Sequence, residues 1–123
     1  NEKTDKKEDC TKQLMFFSLP QVLIIILKRF GNNLRRKNNM VDIPLANLDL
    51  NKYVVGYQDR NTKYDLYGIC NHMGNHAGGH YTSYVKVKDG KWYHFNDRSV
   101  NQYTGKLISP DSYCLFYRKK KLN

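Results

Sequence analysis

The sequence predicts a mainly β fold, an antiparallel sheet with little helix. Three observations support this prediction. β-branched and aromatic residues are concentrated in short runs, turn-forming residues separate these runs, and no window of about eleven residues carries a helical apolar stripe. With 123 residues, of which 40% are hydrophobic, the chain can form the core of one domain. We expect a flexible lead-in at 1–12, a folded part at 13–118 and a basic tail at 119–123.

The first predicted strands lie on either side of Pro20. Residues 14–17 and 22–27 are apolar runs of strand length. The second run is apolar on both faces, which predicts a central strand. Residues 31–40, rich in Asn and Arg, are predicted to form an exposed loop.

The second half of the chain predicts further strands, joined by turns that contain glycine. A loop is expected at 71–79, where three glycines interrupt any apolar period. The predicted strands are residues 64–70, 80–88, 91–96 and 113–118.

The charge, the apolar runs and the cysteines limit the classes of function. The 21 basic and 11 acidic residues give a formal net charge of +10. The basic residues form short scattered clusters, which are typical of solvated flanks, so we expect no nucleic-acid partner. The longest apolar run has six residues, too few to span a membrane, and no membrane association is expected. The spacing of the three cysteines matches neither a metal site nor a disulfide framework. This favours a reducing location, cytoplasmic or nuclear.

His80 is the first candidate catalytic residue, because a glycine-rich stretch leads directly into it at the start of a predicted strand. An imidazole that acts as a general base needs a polar partner to fix its tautomer. Asn96 or Asp97, on the strand that returns from the next turn, can provide this partner. The pattern by itself also fits an ordinary polar histidine at a sheet edge.

The turn at Asp89 and Gly90 decides whether His80 and Asn96 share a face of the sheet. A tight two-residue turn would place them on opposite faces. One extra residue in the turn shifts the pairing by one and makes them diagonal neighbours on the same face, about 7–8 Å apart at the backbone. The apolar residues then share the other face: Val85, Val87, Tyr93 and Phe95. We therefore predict the irregular turn.

Four motifs in unbroken order carry a family resemblance. They are SLPQVLIIILKRF (18–30), YDLYGICNHMGNHAGGHYTSYVK (64–86), KWYHFNDRSV (91–100) and SYCLFYR (112–118). Together they resemble the C-terminal half of a ubiquitin-specific protease catalytic domain, also called a ubiquitin carboxyl-terminal hydrolase domain. The resemblance implies the palm-like β part of a papain-like α+β cysteine peptidase.

The resemblance also implies roles for individual residues. His80 would be the general base that activates a cysteine thiol, and Asn96 would be the third member of the triad. Asp97 is a neighbouring polar residue that would assist, or would take the place of Asn96 if the register differs. The stretch 71–79 is similar to a loop over the C-terminal tail of ubiquitin. The candidate substrate-binding residues are His72, Gly78, Gly79 and Tyr81, although an aromatic such as Tyr81 more often fills a core.

The nucleophile is the main departure from the family pattern, because the sequence has no Gly-Asn-Thr-Cys-type box. Cys70 and Cys114 lie within apolar strands, where burial disfavours a thiolate, and Cys10 lies in the polar lead-in. We therefore expect a fragment that is inactive alone. Its expected partners are ubiquitin, ubiquitinated proteins and the N-terminal half of the same catalytic domain, which carries the cysteine.

No cofactor is expected. A metal site at Cys70, His72, His76 and His80 would need a helix to bring residues four apart onto one face, and the glycines argue against a helix. The alternative function is a non-catalytic ubiquitin-binding module derived from the same family.

Overall fold

The computed structural model describes residues 12–29, 37–55, 61–75 and 77–121, and these form one antiparallel sheet. Its strands are β1 (Val22–Ile26), β2 (Leu48–Asp49), β3 (Lys63–Asn75), β4 (Gly78–Lys86), β5 (Trp92–Asn96), β6 (Ser99–Tyr103) and β7 (Ser112–Lys119). The order across the sheet is β1-β7-β3-β4-β5-β6, with β2 beside β3. The helix in the described part of the chain is one 3-10 turn, Asn51–Tyr53. The predicted mainly β fold is therefore confirmed.

The core lies on one face of the sheet, which we call the site face because His80 and Asn96 also lie on it. Its buried strand residues are Leu23, Tyr64, Leu66, Ile69, Leu115 and Tyr117. Ile43 and Leu50, from the segment that precedes β3, complete the core cluster with Leu19. The Tyr117 hydroxyl donates a hydrogen bond of 2.8 Å to the carbonyl of Pro44, which ties this covering segment to the sheet.

A bulge in β3 keeps large apolar residues on the site face. The pairing of β3 with β7 shifts between Leu66 and Gly68, so that Tyr67 is the extra residue. Leu66 and Ile69, which strict alternation would place on opposite faces, are therefore both 1% exposed within the core.

The turn between β4 and β5 contains three residues, 88–90, and has the predicted irregular register. The Gly90 N–H donates to the Val87 carbonyl, and the Val87 N–H donates to the Lys91 carbonyl, both at 2.9 Å. Gly90 has φ +85°, a conformation that favours glycine and that closes three-residue hairpin loops. Ser83 consequently pairs with Phe95, which is the register that brings His80 and Asn96 to one face.

The opposite face, which we call the back face, holds the apolar set that the register predicts. Val85, Tyr93 and Phe95 are half-buried there, and Val87 is 38% exposed. The main core lies instead on the site face, because that face is covered by the segment before β3. The back face is also partly apolar along β1, where Val22, Ile24 and Ile26 are exposed.

Two strand predictions near the N-terminus were wrong. The run at 22–27 was predicted to be central, but β1 pairs with β7 alone in the described structure and lies at an end of the sheet. Its apolar character on both faces therefore does not reflect burial on both faces. The run at 14–17 forms one bridge, Phe16 with Val54, rather than a strand. Residues 1–11 of the predicted lead-in at 1–12 and residues 31–36 of the predicted loop at 31–40 lie outside the described residues.

The predicted loop at 71–79 is mostly strand, because β3 continues to Asn75 and β4 starts at Gly78. The glycines serve the close pairing of the two strands: Gly74 lies opposite Gly79 and has φ +119°. A side chain at Gly74 would also be too close to Gly79, with the added Cβ 2.7 Å from the Gly79 Cα. Strand β6 was not predicted, because SVNQY is polar and carries no apolar alternation.

Replacing Ile69 with Ala should destabilise the chain by about 2–5 kcal/mol, because the side chain is 1% exposed in the core. The matched control is Ile24→Ala, which removes the same atoms from a side chain that is 54% exposed and should cost less than about 1 kcal/mol. Urea unfolding followed by circular dichroism measures both. Equal losses in the two variants would contradict the placement of the core on the site face.

Candidate active site

His80 is held by the paired strands β3 and β4, near the end of the hairpin that joins them. It lies opposite Met73 on β3, and its side chain is half-buried on the site face. The glycine pair next to it, Gly74 with Gly79, lets the two backbones come close. A histidine on a strand that is paired with its neighbour is held more rigidly than one on a loop, and a catalytic base needs such a fixed position.

Asn96 ends β5 and meets His80 across the sheet. The His80 Nε2 and the Asn96 Oδ1 are 2.6 Å apart. An amide oxygen can only accept, so Nε2 carries the proton in this bond. The Nδ1 nitrogen is then the basic one, and the imidazole is set in the tautomer that can take a proton from a thiol placed next to Nδ1.

Asp97 lies beyond the end of β5 in the two-residue turn to β6, where Asn96 pairs with Ser99. Its φ is +52°, in the left-handed region that Asp and Asn enter more readily than most residues. Within the described part of the chain, Asp97 makes no hydrogen bond or ion pair, and His80 bonds to Asn96. Of the two candidate partners that the sequence left open, the structure therefore brings Asn96 to the imidazole.

His72 and Tyr81 pair with each other across β3 and β4 and lie on the back face, away from His80. His72 is 3% exposed, with its ring 4.7 Å from that of Tyr81 and 5.9 Å from that of Tyr113. Tyr81 is 57% exposed, so it is not the core aromatic that its pattern favoured. The structure thus places these two predicted substrate contacts on the other face from the His80–Asn96 pair.

Gly78 and Gly79 begin β4 and differ in their surroundings. A Cβ added at Gly79 would lie 2.2 Å from the Met73 carbonyl oxygen and 2.7 Å from the His72 Nε2. A Cβ added at Gly78 would meet nothing within 4 Å. Gly79 is therefore required by the packing of the hairpin itself, whereas Gly78 leaves an open surface beside it.

A row of polar side chains next to His80 was not predicted. Asn71 is 4% exposed and donates from Nδ2 to the Thr82 Oγ1 at 3.3 Å. Thr82 lies one residue beyond the Ser83–Phe95 pair and so faces Asn96. These three residues, with His94 and Asp111, line a cavity of about 300 Å³ beside the His80–Asn96 pair. The available signal was the spacing: Thr82 is two residues after His80 and must share its face.

Aromatic rings support the same region. The Tyr84 ring stacks on that of Tyr103 at 4.4 Å and lies 5.0 Å from that of His94. Burial and the hydrogen bond with Tyr103 raise the pKa of Tyr84 to about 12. Tyr84 therefore stays neutral at physiological pH and packs β4, β5 and β6 together. His94 is half-buried, and His76 lies outside the described residues.

The cysteines described by the structure do not approach His80. Cys70 and Cys114 pair with each other across β3 and β7 on the back face, and both are free thiols. Burial raises the pKa of both thiols above the ordinary value of 9.0, so little thiolate exists at neutral pH. Cys10 lies outside the described residues.

The described side chains contain no group of three or more His, Cys, Asp or Glu that could hold a metal ion. Of the residues considered as ligands, Cys70 and His72 lie on the back face and His80 on the site face. Among the residues that the structure describes, no helix is long and apolar enough to cross a bilayer.

Comparison with known families gives a match over residues 1–117 to the family described as ubiquitin carboxyl-terminal hydrolase. Ubiquitin carboxyl-terminal hydrolase 15 of Rattus norvegicus is 38% identical over 118 residues, which are 92% of this chain and 12% of the relative. Ubiquitin carboxyl-terminal hydrolase 8 of Arabidopsis thaliana is 42% identical over 114 residues, covering 88% of this chain and 13% of the relative. The chain thus spans about one-eighth of the length of these curated relatives.

Solved structures give the same result for the fold. The SAGA Ubp8/Sgf11/Sus1/Sgf73 DUB module contains a chain that is 30% identical, with a TM-score of 0.76, covering 96% of this chain and 28% of that one. The same module bound to ubiquitin aldehyde gives a TM-score of 0.71 at 30% identity, covering 85% of this chain and 26% of that one.

Replacing Gly79 with Ala should destabilise the β3–β4 hairpin by about 1–3 kcal/mol, because the added methyl group meets the Met73 backbone. Gly78→Ala is the matched control and should be within about 1 kcal/mol of the parent, since its methyl group enters open space. Urea unfolding midpoints measure both effects. A Gly78→Ala variant as unstable as Gly79→Ala would contradict this distinction.

Proposed function

The chain belongs to the ubiquitin carboxyl-terminal hydrolase family, and from this premise we propose that it supplies the general base of a deubiquitinating thiol isopeptidase. The bond cleaved would follow the C-terminal glycine of ubiquitin. The observation that carries the proposal is the 2.6 Å contact between the His80 Nε2 and the Asn96 Oδ1. It leaves Nδ1 as the basic nitrogen in a chain whose relatives are ubiquitin hydrolases.

In the proposed reaction, the His80 Nδ1 takes the proton of a cysteine thiol from another part of the protein. The thiolate attacks the carbonyl carbon of the terminal glycine, and the imidazolium returns the proton to the departing amine. Water, deprotonated by the same nitrogen, then releases ubiquitin from the thioester. Asn96 holds Nε2–H throughout, although a neutral amide stabilises the imidazolium less than a carboxylate would.

The proposed nucleophile comes from the N-terminal half of the same catalytic domain. The described cysteines are unsuited to the role, because Cys70 and Cys114 lie on the back face with raised thiol pKa values. The chain covers 28% of a solved relative, so most of that relative's chain has no counterpart in these 123 residues. We propose that this missing part carries the cysteine and that the present chain alone does not hydrolyse ubiquitin conjugates.

The ubiquitin tail is proposed to pass along the start of β4. Gly78 is exposed with open space at its Cβ position, whereas Tyr81 lies on the back face and would act only by packing against His72. His72 would support the Tyr81 ring through ring packing, and Gly79 would allow the backbones of β3 and β4 to lie close together. Cys70 and Cys114 lie opposite each other on paired strands and are free thiols. We propose on this basis a reducing compartment, the cytoplasm or the nucleus.

Replacing His80 with Ala in the full-length protein should lower kcat/KM for a fluorogenic ubiquitin C-terminal amide by about 100- to 10,000-fold, because the thiol loses its base. Labelling by a ubiquitin C-terminal electrophile should be lost in parallel. Ubiquitin binding, measured by calorimetry, should change by less than about threefold and serves as the internal control for folding. A parent protein that binds ubiquitin without turnover or labelling would instead identify a non-catalytic ubiquitin-binding module.

Replacing Asn96 with Ala should reduce kcat by about ten- to a thousandfold, since the Nε2–H loses its acceptor and the imidazole its orientation. Asp97→Asn is the comparison, because Asn tolerates the left-handed φ of +52° and removes only the charge. This variant should stay within about threefold of the parent. The reverse ranking in the same steady-state assay would make Asp97 the third member of the triad.

A further inference from the structure

Basic clusters that are far apart in the sequence meet at one end of the sheet. Lys86 ends β4 and Lys88 lies in the following turn, while Arg118, Lys120 and Lys121 lie at the end of β7 or just beyond it. These five residues line one groove of about 600 Å³. Short basic clusters in a sequence are typical of solvated flanks, but here the antiparallel order of the strands brings distant basic residues together.

The groove carries a strong excess of positive charge. Among the described residues that line the groove, the one acidic residue is Asp65, whose Oδ1 already accepts the Asn47 N–H at 3.0 Å. Lys119 also lines the groove but donates from Nζ to the Leu19 carbonyl at 3.3 Å in a buried position, so it is not counted among the five. Converging cations in a concave surface attract and orient anions more strongly than the same cations on a convex one.

Two of the cations are held in place. The Arg118 guanidinium carbon lies 4.5 Å from the centre of the Tyr67 ring, a cation–π contact, and that ring packs edge-on against Phe116. The Lys120 Nζ donates to the Asn47 Oδ1 at 2.7 Å. An anion that binds here therefore meets donors that have already lost part of their side-chain freedom, which lowers the entropy cost of binding.

An apolar groove continues from the basic one. It has a volume of about 450 Å³, shares Tyr67 with the basic groove, and is lined by Gly68, Cys70, Val85 and Phe116 among others. A ligand that fills both grooves needs acidic groups next to apolar groups. The face of Tyr67 is covered by Arg118, so it is not a free stacking surface for a nucleobase.

We propose that the joined grooves bind an acidic polypeptide segment that carries apolar side chains. The acidic residues contact Lys86, Lys88, Arg118, Lys120 and Lys121, and an adjacent apolar side chain lies against Val85 and Phe116. This surface is separate from the candidate active site: Lys86 is six residues from His80 on the same strand, about 20 Å along it. A bound segment leaves the His80–Asn96 pair uncovered.

The test uses the full-length protein and a short fluorescein-labelled oligoglutamate peptide with two central leucines, and binding is followed by fluorescence anisotropy near physiological ionic strength. Lys86→Ser, Lys88→Ser and Lys121→Ser together should weaken binding by about tenfold or more. The matched control replaces Lys28, Lys52 and Lys106 with Ser. These three are exposed, lie outside the groove and give the same loss of charge. The control should change affinity by less than about threefold, and circular dichroism should give the same spectrum for all three proteins.

Two further probes make the proposal specific. The same peptide without leucines should bind at least about threefold more weakly, because the apolar groove is left empty. A single-stranded oligodeoxynucleotide of equal charge should bind more weakly than the leucine peptide. Equal losses in the two triple variants would overturn the proposal, since binding would then reflect net charge alone. Tighter binding of the oligodeoxynucleotide, or no peptide binding at all, would also overturn it.

Discussion

The register between β4 and β5 is the constraint on which the candidate site depends. A side chain alternates between the faces of a sheet, so a shift of one residue would move Asn96 away from His80. The three-residue turn removes this possibility, because Gly90 at φ +85° closes the loop with hydrogen bonds from Gly90 to Val87 and from Val87 to Lys91. The 2.6 Å contact at the other end of the strands is a consequence of this turn.

The same register divides the sheet into two surfaces with different tasks. The site face holds the core. Near the start of β4 this face is polar, and Asn71, Thr82 and Asn96 lie side by side there. The back face holds an apolar set that is only half-covered, together with the thiols Cys70 and Cys114. The strand β1 is the clearest example of this exposed apolar surface, because Val22, Ile24 and Ile26 are all exposed there.

Much of this arrangement was accessible from the sequence, for identifiable physical reasons. The Asp-Gly turn and the alternating residues around it predicted both the hairpin and its irregular register, and four motifs in unbroken order predicted the family. Long-range pairing was less accessible. The glycines at 74, 78 and 79 suggested a loop because glycine marks flexible turns, yet here they allow two strands to approach closely. The position of β1 at an end of the sheet depends on neighbours that local composition does not specify.

Convergence in space accounts for the features that the sequence did not predict. Thr82 and Asn71 are eleven residues apart, and their hydrogen bond exists because β3 and β4 are paired in one register. In the sequence, the strands β5 and β6 lie between Lys86 and Arg118. The two residues share a groove because β3 pairs with both β4 and β7. In both cases β3 is the common element: it pairs with β4 and β7 at once, and near Asn75 it supports the hairpin that presents His80. A single long strand thus links the candidate active site at one end to the basic groove at the other.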